Sequence, residues 1–564
     1  MASQQQNVTI DSPGFEGINT EESPISQQPG FCLVADNAVV DRFGRIGCRK
    51  AFAGFTTAVN ITYTPAVGVD STVITTHRMG NGFINNVSVV IATVDVIQRD
   101  ITGTLLQTDS FVCKLTTVGD VHELDELTLP TMLNPTSLND AKIVSFRDKL
   151  YVFSAGNDPL VYDGTAVTNL SAAATYRPPQ DNSGILAPLL DGNIVTASYG
   201  RLWVTGVGED YSSIYYSDLL IPEVWYDGKH TPHNALNTGG ILNVAEYWPK
   251  GTDRIVDLIA HNNALYVFGR NSILIYNNAA TGDPAAEGGI FLADTISNLG
   301  LVSRDATANI GSDILFVDDS GVRSLGRTIQ EKSVPIGDLT YNIRRDITAE
   351  ISATVDKKSI SLSYWPDEDL SVLTFADAEI AYCMEMRGPS ISGGSKMTRW
   401  TGCQFRRSMY YEVAGEARVL LAANTGDGMF LYDEFLEHTG TAFEFKFEST
   451  GYTFGQPANI KYVKQIDYTV VSTRIPTIGH AGWGFSGRLD YSKELNIDAQ
   501  IPALYGVALF GVDEFGDGLT TIRRYKVNTK GSGETLIVGL RADIEGNSLS
   551  LQEINIQTLL GRLN

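Results

Sequence analysis

Apolar runs of four to seven residues, rich in Val, Ile, Leu, Tyr and Phe, recur between Gly, Asn and Asp clusters almost from one end of the chain to the other. That rhythm predicts a mainly β protein of short strands and tight turns. One stretch departs from it. Leu339, Ile343, Ile347 and Ile351 lie four apart, which predicts a helix over 338–351, an insertion or linking element among strands.

The strand pattern also repeats, at a period of roughly fifty residues, the range of propellers and arrays. Its unit is an apolar pair, a polar turn, then an alternating run ending in a small or polar residue. Three copies are plain: Ile143-Val-Ser-Phe-Arg-Asp-Lys-Leu-Tyr-Val-Phe-Ser154, Ile194-Val-Thr-Ala-Ser-Tyr-Gly-Arg-Leu-Trp-Val-Thr205, and residues 255–269. Fainter ones lie at 85–93, 313–321, 358–364 and 418–432. Leu150, Leu202 and Leu265 are 52 and 63 apart, the irregularity expected if loops carry insertions. Each unit reads as an antiparallel meander with two apolar faces that need neighbours on both sides. Radial stacking supplies them, which predicts a β-propeller of about six blades. The alternative is a set of unrelated hairpins in two or three sandwiches.

The ends differ from the middle. Residues 1–60 are polar and broken by Pro13, Pro24 and Pro29, and are expected to pack on or between other elements. Residues 61–440 form the expected propeller body. From 441 to 564 the strands lengthen, and alternation puts Phe443, Phe445 and Phe447 on one face and Glu444 and Lys446 on the other. That predicts a C-terminal β-sheet platform with one solvated face, which the N-terminal segment joins.

With 564 residues, 43% hydrophobic and 19% charged, the chain is in the globular range, long enough for several domains or one large β body. Its net charge of −23 argues against a general nucleic-acid binder, which uses surplus Lys and Arg to displace counterions. No run reaches the length of a membrane span, and the polar start lacks a secretory pattern, so synthesis in the cytoplasm as a soluble protein is expected. The five cysteines are scattered without a close pair and read as free thiols.

Candidate chemistry is sparse. His230-Thr-Pro-His233 spaces two imidazoles three apart around a proline, with no third ligand nearby, and reads as a polar loop more readily than a metal site. Asp513-Glu-Phe-Gly-Asp-Gly518 begins like a calcium loop, but Phe515 and Arg524 stand where ligands are needed. Gly482-Trp-Gly-Phe-Ser-Gly487 matches a dinucleotide pattern in an all-β setting, where glycines more often shape a loop or bulge. Asp367, Glu368 and Asp369 form the densest acidic turn of the blade region. Ser392-Gly-Gly-Ser-Lys-Met-Thr-Arg-Trp400 approaches a sialidase box but lacks its Asp. The reading is therefore no enzyme, with no catalytic, cofactor-binding or metal residue and no cofactor.

Three stretches carry a resemblance. Gly17-Ile-Asn-Thr-Glu-Glu-Ser-Pro24 leads through Pro29-Gly30 and Ala35-Asp-Asn-Ala-Val-Val-Asp41 into Arg42-Phe-Gly-Arg-Ile-Gly-Cys-Arg-Lys50. Met397-Thr-Arg-Trp400 follows a strand containing Ala381-Tyr-Cys-Met384, and residues 445–455 precede Lys461-Tyr-Val-Lys-Gln-Ile466. Together they resemble the nozzle, or tail tubular protein B, family of short-tailed bacteriophages.

The resemblance implies a virion structural protein, assembled in the host cytoplasm into a hexameric tail nozzle below the portal-adaptor ring. There it would form the distal conduit for DNA ejection. Implied partners are five further copies, the adaptor, tail fiber or spike proteins and the host cell surface, with viral DNA passing through the lumen without specific binding. Part of the −23 would line that lumen and repel phosphate, or else lie on the exterior and serve solubility. Arg42, Arg45, Arg49 and Lys50 form a basic cluster that would pair with a neighbour's carboxylates, or an ordinary exposed hairpin. The competing reading is a receptor-binding or glycan-degrading propeller tail protein.

Overall fold

The computed structural model describes residues 5–119, 121–130, 135–179, 189–225, 239–281, 289–331, 338–413, 416–424, 426, 428–472, 476–485, 487–497 and 521–561. Among the described residues, five sheets of four or five strands, four strands at one end of a ten-stranded sheet and one three-stranded sheet stand around a common axis, making a β-propeller of six full blades and a shorter one. The short sheet, Thr307–Asn309, Ile314–Asp318 and Gly321–Ser324, lies fifth in chain order. The three plain repeats are the first two strands of the second, third and fourth blades. Their polar turns are two-residue hairpin loops with both residues left-handed: Arg147 and Asp148, Tyr199 and Gly200, Asn262 and Asn263, with φ between 48° and 71°. Asn85 and Asn86 make the same turn in the first blade. Such turns match the right-handed twist of the strands they join. Leu150, Leu202 and Leu265 occupy equivalent second-strand positions and are fully buried, each facing a neighbouring blade.

The ring closes with a strand from far away in sequence. Phe405–Val413, Glu416–Ala423 and Met429–Asp433 of the seventh blade are completed by Ala51–Gly54, paired antiparallel from Asp433↔Ala51 to Phe430↔Gly54. Around that seam Phe52, Trp365, Trp400, Phe405 and Tyr432 pack as one aromatic group, with Trp400 and Tyr432 stacked at 5.5 Å. The helix Arg344–Ala353 continues a 3-10 turn at Tyr341–Ile343. The helix starts later than the 338–351 read from spacing: Ile347 and Ile351 lie on it, Ile343 in the 3-10 turn and Leu339 before both, and all four are buried against the fifth and sixth blades.

The C-terminal strands form two packed sheets. In one, Thr521–Asn528, Lys461–Ser472 and Leu549–Leu560 run beside Gln5–Asp11 and the hairpin Ala38–Val40 and Ile46–Cys48. The other is continuous with the sixth blade: Ser395–Thr401 meets Phe31–Asp36, which is followed by Phe443–Ser449, Leu536–Ile544, Thr477–Phe485 and Tyr491–Ile497. Phe443, Phe445 and Phe447 point into the core between the sheets while Glu444 and Lys446 point outward, the alternation read from sequence. The five cysteines are free thiols.

Candidate functional site at the propeller hub

Three of the innermost strands carry a register shift where a charged residue turns toward the axis. Arg78 follows a shift after Thr76, Asp257 one after Ile255, and Arg407 one after Phe405. An extra residue in a strand re-aims its neighbour, and here three bulges bring buried charge to the centre of the ring. Asp140 and Lys142 enter from the second blade, Arg304 and Asp305 from the segment before the fifth, and Lys358 from the turn before the sixth.

Asp305 is the hinge of this network. It accepts from Arg78 and from Arg407 at 3.1 Å, with the Arg304 Nε at 3.8 Å. Those guanidiniums outweigh the cost of burial and hold its carboxyl well below the usual carboxylate range. Asp140 accepts from Arg304 at 3.1 Å, Lys358 at 2.8 Å and Asn193 at 2.9 Å, and is likewise lowered. Arg304 also donates to the carbonyls of Asn193 at 2.6 Å and Asp140 at 3.0 Å. Asp257 pairs with Lys142 at 2.8 Å and accepts from the Thr307 hydroxyl at 3.2 Å, yet its burial raises its pKa. Arg407 is pulled down to about 9 by burial and by neighbouring arginines, with Asp305 opposing, and stays protonated at neutral pH. Five cations thus face three carboxylates, and removing one partner would leave another buried charge uncompensated.

The basic cluster read from sequence does not act as a unit. Arg49 is 1% exposed and engaged within the chain, by Glu437 at 2.8 Å, Asn37 at 3.1 Å and the rings of Phe52 and Phe443, so it is not available to a neighbour. Lys50 pairs with Glu368 at 2.6 Å. Arg42 and Arg45 remain at the tip of the platform hairpin, flanking the ring of Phe43 at 4.8 and 4.5 Å, with Arg45 also held by Asp41 at 2.7 Å. Phe43 is 54% exposed.

The other motifs fall into structural places. Asp367 accepts from the Tyr410 hydroxyl and Asp369 pairs with Arg387, so each carboxylate of the acidic turn has its own partner. Trp400 is buried and donates to the Ala38 carbonyl at 2.7 Å. Gly484 sits in a platform strand where a Cβ would come 2.0 Å from the Arg488 carbonyl oxygen, so close backbone approach accounts for it. His230, His233 and the stretch 513–518 lie outside the described residues. Among the described residues no three His, Cys, Asp or Glu side chains gather in metal-binding geometry.

Sequence reasoning did not find the hub. The visible signals are Arg304-Asp305 and Arg406-Arg407, adjacent charges beside apolar strand positions, but nothing along the chain says that they converge.

No protein-family model matches the chain, and no curated protein does. Solved structures similar to it include the WD40 domain of Pan2 from Neurospora crassa, at 9% identity over 65% of this chain and 97% of that one, TM-score 0.31. Hsv2 of Kluyveromyces marxianus matches at 10% identity over 58% and 99%, TM-score 0.24. An exo-beta-1,3-galactanase of Phanerochaete chrysosporium matches at 8% identity over 90% and 100%, TM-score 0.23. The propeller itself rests on the sheet order described above.

Proposed function

We propose that this chain is a structural subunit of a short bacteriophage tail, six copies of which form a nozzle below the portal-adaptor ring and conduct the genome outward. The observation that carries this reading is where the three resembling stretches lie. Phe31–Asp36, Ser395–Thr401 and Phe443–Ser449 are consecutive strands of one sheet, so segments hundreds of residues apart in sequence form a single joint between platform and propeller. Arg399 clamps Asp36 at 2.8 and 3.0 Å across it, and Asn37 donates to the Glu444 carbonyl at 2.9 Å.

Such a joint suits a load-bearing ring subunit, whose task is to hold a fixed geometry. The platform hairpin with Phe43, Arg42 and Arg45 at its tip is the contact we assign to a neighbouring copy or the adaptor, since an aromatic flanked by arginines is a common interface anchor. The hub carries more positive than negative charge, so the acidic excess of the chain lies on other surfaces. Part of it is assigned to the lumen of the ring, where it would repel passing DNA. No residue is assigned a catalytic role.

Mass photometry of purified protein, alone and mixed with adaptor-capped portal, followed by negative-stain imaging, tests the reading. Six-fold rings, free or seated on the adaptor, are the expected result. A monomer or trimer that ignores the adaptor would overturn it and favour the receptor-binding or glycan-degrading alternative.

A further inference from the structure

Beside the Arg78–Asp305 pair lies a cavity of about 130 Å³, lined by Arg78, Arg406, Arg407 and Lys358 against Asp140 and Asp356, with His77 and Asn139. Four cations and two carboxylates line it in a chain whose total charge is −23, and of the cations Arg78 and Arg407 share Asp305 while Lys358 pairs with Asp140. Asp140 is fully engaged, while Asp356 is exposed and accepts a single backbone N–H. Asp140 serves Arg304, Lys358 and Asn193, and Asp356 caps the following 3-10 turn by accepting from the Lys358 backbone N–H at 3.0 Å. Arg406 makes no ion pair among the described residues.

The donors are also in excess. The Nε groups of Arg78, Arg406 and Arg407 are all buried without a hydrogen-bond acceptor, and Arg78 as a whole is 7% exposed. A buried N–H without a partner is costly, and three from neighbouring guanidiniums are costlier, because like charges also repel. An acceptor carrying negative charge would relieve both penalties. The mouth is open to one: Lys358 has a side chain 64% exposed, and Asn139 beside it is exposed.

We propose that this cavity is a binding site for a small tetrahedral oxyanion of the phosphate class. Several oxygens on one centre match several guanidinium forks, which neither chloride nor a single carboxylate can do. The volume suits one such group and excludes a nucleoside or sugar attached deep inside. The phosphate group has two sources, the free ion and the end of a nucleic-acid strand, and the shared chemistry is the recognition of its oxygens.

The test is isothermal titration of inorganic phosphate into the full-length protein in chloride buffer at matched ionic strength, with melting temperature as a second readout. Binding and a phosphate-dependent rise in melting temperature are expected. Arg406→Gln should weaken binding about tenfold or more, the loss of one charge-assisted contact, while its melting temperature in chloride does not fall. Lys358→Gln, at the mouth, should weaken binding in the same direction. A 5′-phosphorylated oligonucleotide that displaces phosphate would support the site and assign it a strand end. Failure to displace would support the site and assign it the free ion. Absence of phosphate binding to the wild-type protein, or wild-type binding by both variants, would overturn the proposal.

Discussion

The hub and the platform solve the same problem, holding strands from distant parts of the chain together, by opposite means. In the platform two sheets face one another across Phe445, Phe447, Ile466, Tyr468, Leu540 and Ile554, all nearly or fully buried. At the hub the innermost strands of different blades are tied by Arg, Lys and Asp across cavities of about 250 and 130 Å³. Apolar burial is non-directional and indifferent to pH. An ion-pair network is directional, ties particular blades to one another, and depends on the protonation of a few carboxylates. The difference separates a part that supplies stability from a part that fixes geometry.

The greatest loss of stability is expected in the platform. Phe445→Ala should cost about 4 kcal/mol by urea unfolding, the transfer and cavity cost of a buried aromatic. Asp305→Asn should cost about 3 kcal/mol, because Arg78, Arg304 and Arg407 would then face one another without their shared anion. A loss below about 1 kcal/mol would mean that the hub is solvated well enough to do without it.

Acidification sharpens the contrast further. The folded pKa values of Asp305 and Asp140 lie below the unfolded value of about 4, so their contribution is complete above that pH and lost as pH falls through the folded values. Asp257 is shifted the other way, so its charged form opposes folding near neutrality and its protonation offsets part of the loss. Urea midpoints taken at descending pH should fall below about pH 4 for the wild type and less steeply for Asp305→Asn. The smallest effect is at the platform–blade rim: Lys50→Gln should change stability by less than about 1 kcal/mol, because both Lys50 and Glu368 are about one-third exposed.

The same contrast governs what the sequence reveals. Apolar periodicity is local, so Leu150, Leu202 and Leu265 mark equivalent blade positions, the four-residue row through Ile351 marks a helix, and the Phe443 to Phe447 alternation marks a sheet face. Pairing across the fold is not local. Ala51–Gly54 reads as part of an arm, and only the register with Met429–Asp433 makes it the closing strand of the propeller. Arg49 reads as one of four surface cations because its burial depends on Glu437 and Phe443, nearly four hundred residues away. The hub is hidden for the same reason, since the bulges that aim Arg78, Asp257 and Arg407 inward arise from pairing between strands and leave no mark on composition.

Amide hydrogen exchange of Asp305→Asn against the wild type, resolved by peptide, tests most directly whether the hub fixes blade geometry while the platform supplies stability. Lost protection is expected in the innermost strands, Ser71–Ile84, Thr307–Asn309 and Phe405–Val413, with Phe443–Ser449 and Leu536–Ile544 unchanged. Equal loss in both regions, or loss in the platform alone, would contradict it.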